Sequence, residues 1–185
     1  MTLAFTNGRV AMREGFTAGP TVLVEDGRIG AVLSAGAAVP RAARTVDLGG
    51  RLLLPGFIDT QVNGGGGVLF NDSPTVEGIR AIGAAHRRFG TTGFLPTLIS
   101  DDLAVLARAI EAVDAAIEAG VPGVLGIHIE GPFISEARKG VHDAAHFLEL
   151  DHDKVGLLAS LRRGRTLMTL APETTSPDVM RAELR

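Results

Sequence analysis

The chain has 185 residues, 45% of them hydrophobic, enough for one sizeable soluble domain or a domain with a small satellite. It contains no Cys, which excludes disulfides, thiolate zinc sites and cysteine nucleophiles and suits a reducing compartment. Lys and Arg number 18 against 21 Asp and Glu, a net charge of −3, and Trp and Tyr are absent; this argues against nucleic-acid or membrane partners held by bulk charge or base stacking.

Met1–Ala11 lacks the basic and apolar regions of a secretory leader. The uncharged stretch Ile29–Pro40 is too short to cross ~30 Å of hydrocarbon. The expected location is the cytoplasm.

Residues 1–54 read as a small β module. Short apolar runs are punctuated by Asn7-Gly8, Asp26-Gly27 and Gly49-Gly50, dipeptides that supply the positive φ angles of tight hairpin turns. Thr21–Glu25 and Arg28–Leu33 are therefore predicted to form a hairpin, and Arg44–Leu54 further extended chain.

Residues 55–185 alternate strand and helix. Gly56–Val62 is a predicted strand, followed by a helix capped at Ser73-Pro74, carrying Val76, Ile79, Ile82 and Phe89 as a stripe, and stopped by Gly90. Gly93–Ile99 is the next strand; Ser100 is the expected cap of a helix whose Leu103, Leu106, Ile110, Val113 and Ile117 share a face. Val124–Glu130 follows, then a polar loop, a helix over Asp151–Arg163, a strand over Thr166–Ala171 and a helix opened by Ser176-Pro177 and running to Arg185. Four βα units in succession imply a parallel sheet, either a small open α/β sheet or the first half of an eightfold barrel.

In both architectures sites form at the carboxyl ends of the strands. Period-two alternation in Gly126–Glu130 sends His128 and Glu130 to one face and Ile127 and Ile129 to the helix layer. An inward carboxylate there must be paired, protonated or metal-bound, so a structural pair, metal ligation and acid–base work all stay open. Asp59, Gln61 and Asn63 are likewise expected on one face, Asp59 either satisfying local amides or contributing to the site. Gly64–Gly67 is either a close-packed turn or a phosphate loop, although it lacks the GxxxxGK[ST] pattern. The stretch Ser135–His146 is read either as a solvated loop or as a wall, through Arg138, Lys139 and His142, for an anionic or hydroxyl-rich substrate. His142 and His146 stand four residues apart, but nothing argues for a metal-binding helix there. His86 and His152 read as surface or packing residues of helices.

Leu54–Gly64, Thr91–Leu98, Gly126–Phe133, Lys139–His142 and Leu170–Glu173, in this order and spacing, resemble the N-acetylglucosamine-6-phosphate deacetylases of the amidohydrolase superfamily. The resemblance covers the N-terminal half of that family's pattern. It implies the first four βα units of a metal-dependent (β/α)8 barrel (residues 55–185) beside a β-sandwich portion (residues 1–54), and hydrolysis of N-acetylglucosamine 6-phosphate to glucosamine 6-phosphate and acetate. It further implies one divalent metal, zinc or iron, per subunit. Glu130 would be a direct ligand, Gln61 would reach the metal through water, and Val141 and His142 would contact substrate. His128, Asp59 and Asn63 would support them, and the family forms homodimers. The catalytic Asp and two His ligands are expected beyond Arg185, so the 185-residue chain is expected to be inactive alone. Two other readings compete: another amide hydrolase of the same superfamily, and a non-catalytic half-barrel that assembles with a partner.

Overall fold

A computed structural model describes residues 1–183. The chain divides into two compact units, Met1–Pro55 and Gly56–Arg185. Among the described residues no helix is long and apolar enough to cross a membrane.

The first unit is all strand: β1 (Thr2–Thr6), β2 (Arg9–Met12), β3 (Gly15–Ala18), β4 (Thr21–Glu25), β5 (Arg28–Leu33), β6 (Arg44–Asp47) and β7 (Leu52–Leu53). Two sheets result, ordered β5-β4-β1-β6 and β3-β2-β7. The Asp26-Gly27 hairpin forms with the predicted strand ends, both residues taking positive φ (49° and 77°) as a tight turn requires. Asn7 also takes positive φ, but there the chain leaves one sheet for the other instead of folding back as a hairpin; the Asn7 amide donates to Asp47 at 2.9 Å. Gly49 and Gly50 break the expected extended run Arg44–Leu54 into β6 and β7.

The second unit contains β8 (Phe57–Val62), β9 (Gly64–Gly65), β10 (Val68–Leu69), α1 (Val76–Arg87), β11 (Thr91–Ile99), α2 (Leu103–Glu118), β12 (Gly126–Glu130), α3 (His152–Leu158), β13 (Arg165–Thr169) and α4 (Pro177–Glu183). β8, β11, β12 and β13 lie side by side in chain order, every pair parallel. Burial of Ile79 and Ile82 from α1, Leu106, Ile110 and Val113 from α2, and Ile127 and Ile129 from β12 builds one core between helices and sheet. Each such side chain contributes roughly 1.5–3 kcal/mol by leaving water.

Several element ends differ from expectation. α1 is capped by Thr75, whose hydroxyl accepts the Gly78 amide at 3.1 Å, so Pro74 lies before the helix rather than in its first turn. α1 ends at Arg87, and Phe89 is left exposed instead of joining the apolar stripe. α2 starts after Asp102, not Ser100. α3 closes at Leu158, well short of Arg163, because the amides of Arg162 and Arg163 turn to the Asp114 carboxylate (3.2 and 2.8 Å). β13 stops at Thr169; the Ala171 amide leaves the sheet for the Phe133 carbonyl at 2.8 Å. The fourth helix begins at Pro177 as expected; residues 184 and 185 lie outside the described residues.

Gly156 sits inside α3 with open space where a Cβ would stand. Gly156→Ala is expected to stabilise the protein by about 0.5–1 kcal/mol, since glycine loses the most backbone freedom in a helix. A thermal melt should rise by roughly 2 °C, and a lower midpoint would contradict this account.

Candidate active site

The carboxyl edge of the parallel sheet carries the polar residues, and the β12 register explains how. His128 stands opposite Thr97 of β11, and Glu130 opposite Ile99 of β11 and Thr169 of β13. His128 and Glu130 share a face while Ile127 and Ile129 are fully buried on the other. His128 is hydrogen-bonded at both ring nitrogens, Nδ1 to Thr97 Oγ1 at 3.3 Å and Nε2 to Thr169 Oγ1 at 2.9 Å. Thr97 in turn accepts the Val62 amide at 2.9 Å, so a polar layer crosses all four strands, buried at Val62, Thr97 and His128 and exposed at Thr169. Burial pushes the His128 imidazole below the ordinary histidine range, against the opposing pull of the Glu130 charge and a backbone contact at Thr60. With both nitrogens occupied, His128 acts as a cross-strand tie in the floor beneath Glu130.

Glu130 is part-buried and takes a neutral partner: Gln61 Nε2 donates to both carboxylate oxygens at 2.9 Å. A bulge delivers Gln61 there. The β8–β11 register slips between Asp59 and Val62, opposite Phe94–Pro96, so simple alternation does not carry through Asp59, Gln61 and Asn63. Pro96 has no N–H for the ladder, and a bulge is where a strand tolerates that. Asp59 accepts the Gln61 amide at 3.1 Å, the local use considered from the sequence. The Asn63 side-chain nitrogen is buried without a hydrogen-bond partner.

His142 is not part of a solvated loop. It is buried, its Nδ1 contacts the Ser100 amide at 3.3 Å and the Ser100 hydroxyl at 2.8 Å, and its Nε2 lies 4.0 Å from Glu130. His146 goes elsewhere, to Asp102 at 3.2 Å, so the two histidines do not converge. Lys139 donates to the His142 carbonyl at 3.0 Å, tying the loop to itself. Val141 is 88% exposed and, with Glu130, Arg138, Lys139, His142 and Thr169, lines an open cavity of about 500 Å³.

The glycine run forms the β9–β10 hairpin, with a Cβ at Gly64 only 2.4 Å from the Val68 carbonyl oxygen, and the Gly64 carbonyl accepts from His86 at 2.9 Å. This is the close-packed turn of the two readings.

Glu130 suits a cation: a part-buried carboxylate without an Arg or Lys partner among the described residues. It is one ligand, and a catalytic zinc centre takes about three from protein. Among the described residues the one group of three metal-type side chains with ligand atoms within 4.8 Å is Asp101, Asp102 and His146, which contains neither Glu130 nor His142. Its Asp101 oxygens already accept from Asn71 and the Asp102 amide, at 2.9 Å each. The sequence did not single out Thr97 or Thr169 for the site and offered Ser100 only as a helix cap, although their places at or near strand ends were the available signal.

No protein-family model matches the chain. It is 49% identical over 126 residues to the N-acetylgalactosamine-6-phosphate deacetylase of Shewanella sp. (strain ANA-3), covering 68% of this chain and 32% of that protein. It is 38% identical over 149 residues to the N-acetylglucosamine-6-phosphate deacetylase of Homo sapiens, covering 74% and 35%. The crystal structure of N-acetylglucosamine-6-phosphate deacetylase from Pasteurella multocida superposes with a TM-score of 0.87 at 30% identity, covering 94% of this chain and 46% of that one. The enzyme from Mycobacterium smegmatis gives 0.79 at 27% identity, covering 98% and 49%. The chain is related to the amino-sugar-6-phosphate deacetylases over most of its length, and spans about a third to a half of theirs.

Proposed function

We propose that the chain supplies the Glu130–His142 wall of an active site that hydrolyses the acetamide of an N-acetylated amino sugar 6-phosphate. The observation that carries this is the part-buried Glu130 carboxylate at the strand edge, held by the neutral Gln61 amide and opening with His142 into one cavity. The reaction breaks the amide C–N bond, joins a water oxygen to the carbonyl carbon and releases acetate and the sugar amine. N-acetylglucosamine 6-phosphate is the substrate the sequence motifs suggest; the 49% identical relative is named for the galacto epimer, which makes N-acetylgalactosamine 6-phosphate the second candidate.

In this reading the two units are a β-sandwich portion and the opening βα units of a barrel, and Glu130 is a ligand of a divalent metal, zinc or iron, with Gln61 approaching through water. A bound metal would supply Lewis acidity to water and to the amide carbonyl. This chain's residues do the rest of the positioning. Gln61 fixes the Glu130 carboxylate through both oxygens, the His128 layer keeps the floor rigid, and His142 and Val141 meet the substrate. Arg138 at the cavity wall suits the phosphate by charge and fork geometry. A cytoplasmic location and a homodimer belong to the same reading and rest on kinship with the deacetylases.

A single carboxylate is fewer ligands than catalysis requires, so the chain alone is expected not to turn over. The test measures acetate release from both epimers, with added zinc or iron and with chelator. It uses the chain alone and a chimera in which its matched residues replace those of the Shewanella relative. The chimera is expected to be active, and Glu130→Gln in it to lose more than the ~10–100-fold typical of groups behind the ligands. An inactive but folded chimera would overturn the reading, and chelator-sensitive turnover by the chain alone would overturn its expected inactivity.

A further inference from the structure

We propose that Ser100 is a positioning residue that locks His142 in the tautomer protonated at Nε2, with that N–H facing the cavity and Glu130. The inference rests on the reading of Glu130 and His142 as one site. Its basis is the type of group on Nδ1. The Ser100 backbone N–H, 3.3 Å away, only donates, so Nδ1 must offer its lone pair. A neutral imidazole carries one N–H, which is then on Nε2. The Ser100 hydroxyl, closer at 2.8 Å, must donate to the same lone pair.

The surroundings keep this contact. Ser100 and His142 are both buried, which removes water as an alternative partner for Nδ1. Gly131 makes the room: a Cβ there would stand 2.2 Å from the Ser100 hydroxyl oxygen and 3.5 Å from His142 Nδ1. The glycine of Glu130-Gly131-Pro132 therefore serves the Ser100–His142 contact as well as the turn, where its φ is +90°.

The consequence lies at the other nitrogen. Nε2 is 4.0 Å from the nearer Glu130 oxygen, too far for a direct hydrogen bond, so its proton is presented to a substrate oxygen or a bridging water. The opposite tautomer would turn a lone pair toward the carboxylate, setting acceptor against acceptor and removing the donor from the cavity. Ser100 thus decides whether this wall donates a proton or offers a second metal-type nitrogen.

Long-range ¹⁵N NMR of the ring nitrogens tests this in the purified chain at about pH 8, above the ordinary histidine range. The His142 signals are identified by their loss in His142→Asn. Wild type is expected to show Nε2 protonated and Nδ1 not. Ser100→Ala removes the closer hydroxyl and leaves only the backbone N–H at 3.3 Å, so the Nε2-protonated form should stay the major one with the other tautomer now detectable beside it. Ser100→Thr, which keeps the hydroxyl, should restore the single form. A wild-type ring protonated at Nδ1 would overturn the proposal, as would a Ser100→Ala spectrum identical to wild type. Should Ser100→Ala fail to fold, the wild-type and Ser100→Thr spectra decide alone. No turnover is read, so the result stands apart from whether the chain is a deacetylase.

Discussion

Gly126→Ala is expected to cost on the order of 4 kcal/mol or more and to leave little native protein, the largest effect of any substitution considered. Gly126 opens β12 opposite Arg165 of β13. A Cβ built there stands 1.8 Å from the Arg165 carbonyl oxygen and 2.5 Å from its amide nitrogen. Both are backbone atoms of the neighbouring strand, so no side-chain rotation relieves the overlap; the strands must separate. Separation would pull apart the layer in which His128 reaches Thr169, and with it the floor beneath Glu130. Gly120→Ala is the control. Its φ is +65° but a Cβ there meets nothing, so the left-handed backbone alone should cost about 1–2 kcal/mol. Urea unfolding followed by circular dichroism should place Gly126→Ala well below this control, and equal midpoints would refute the close-approach account.

What the sequence disclosed and what it hid divide along chain separation. The Asp26-Gly27 hairpin, the apolar stripes of α1 and α2 and the shared face of His128 and Glu130 depend on neighbours a few residues apart, where dihedral preference and periodicity act. The features that misled depend on distant partners. Ser100 has the composition of a helix cap, yet its hydroxyl is taken by His142, 42 residues on. The helical pattern beyond Leu158 is ended by Asp114, 48 residues before Arg162. His142 sits in a run of polar residues that reads as solvated, and only the fold brings Ser100 over it. The bulge in β8 is another case. Pro96 on the next strand is its visible cause, but the slip that turns Gln61 onto Glu130 exists only once β8 and β11 pair.

Asp114→Ala is expected to destabilise the protein by about 3 kcal/mol at neutral pH, roughly 10 °C in melting temperature. Asp114 is a buried carboxylate on α2. One oxygen accepts the amides of Arg162 and Arg163 at 3.2 and 2.8 Å, and the other accepts Arg162 Nε at 2.6 Å. These bonds end α3 and aim the chain into β13, which carries Thr169 to the site. Removing the carboxylate leaves the two amides without their acceptor, whereas the exposed Arg162 guanidinium returns to water, so the loss comes mostly from the backbone. Asp114→Asn, which keeps an acceptor oxygen for the amides, should lose less. Burial by itself would raise the Asp114 proton affinity, but the Arg162 guanidinium and the two amides outweigh it and hold the carboxyl below its ordinary value of 3.8. A carboxyl lowered on folding stabilises the native state above its unfolded value, and that contribution is lost as pH falls through the folded value. The deficit of Asp114→Asn relative to wild type should therefore hold at pH 7 and shrink as pH drops below about 3.8. A deficit that stays constant down to pH 2.5 would show that packing, and not the charge on Asp114, makes this junction.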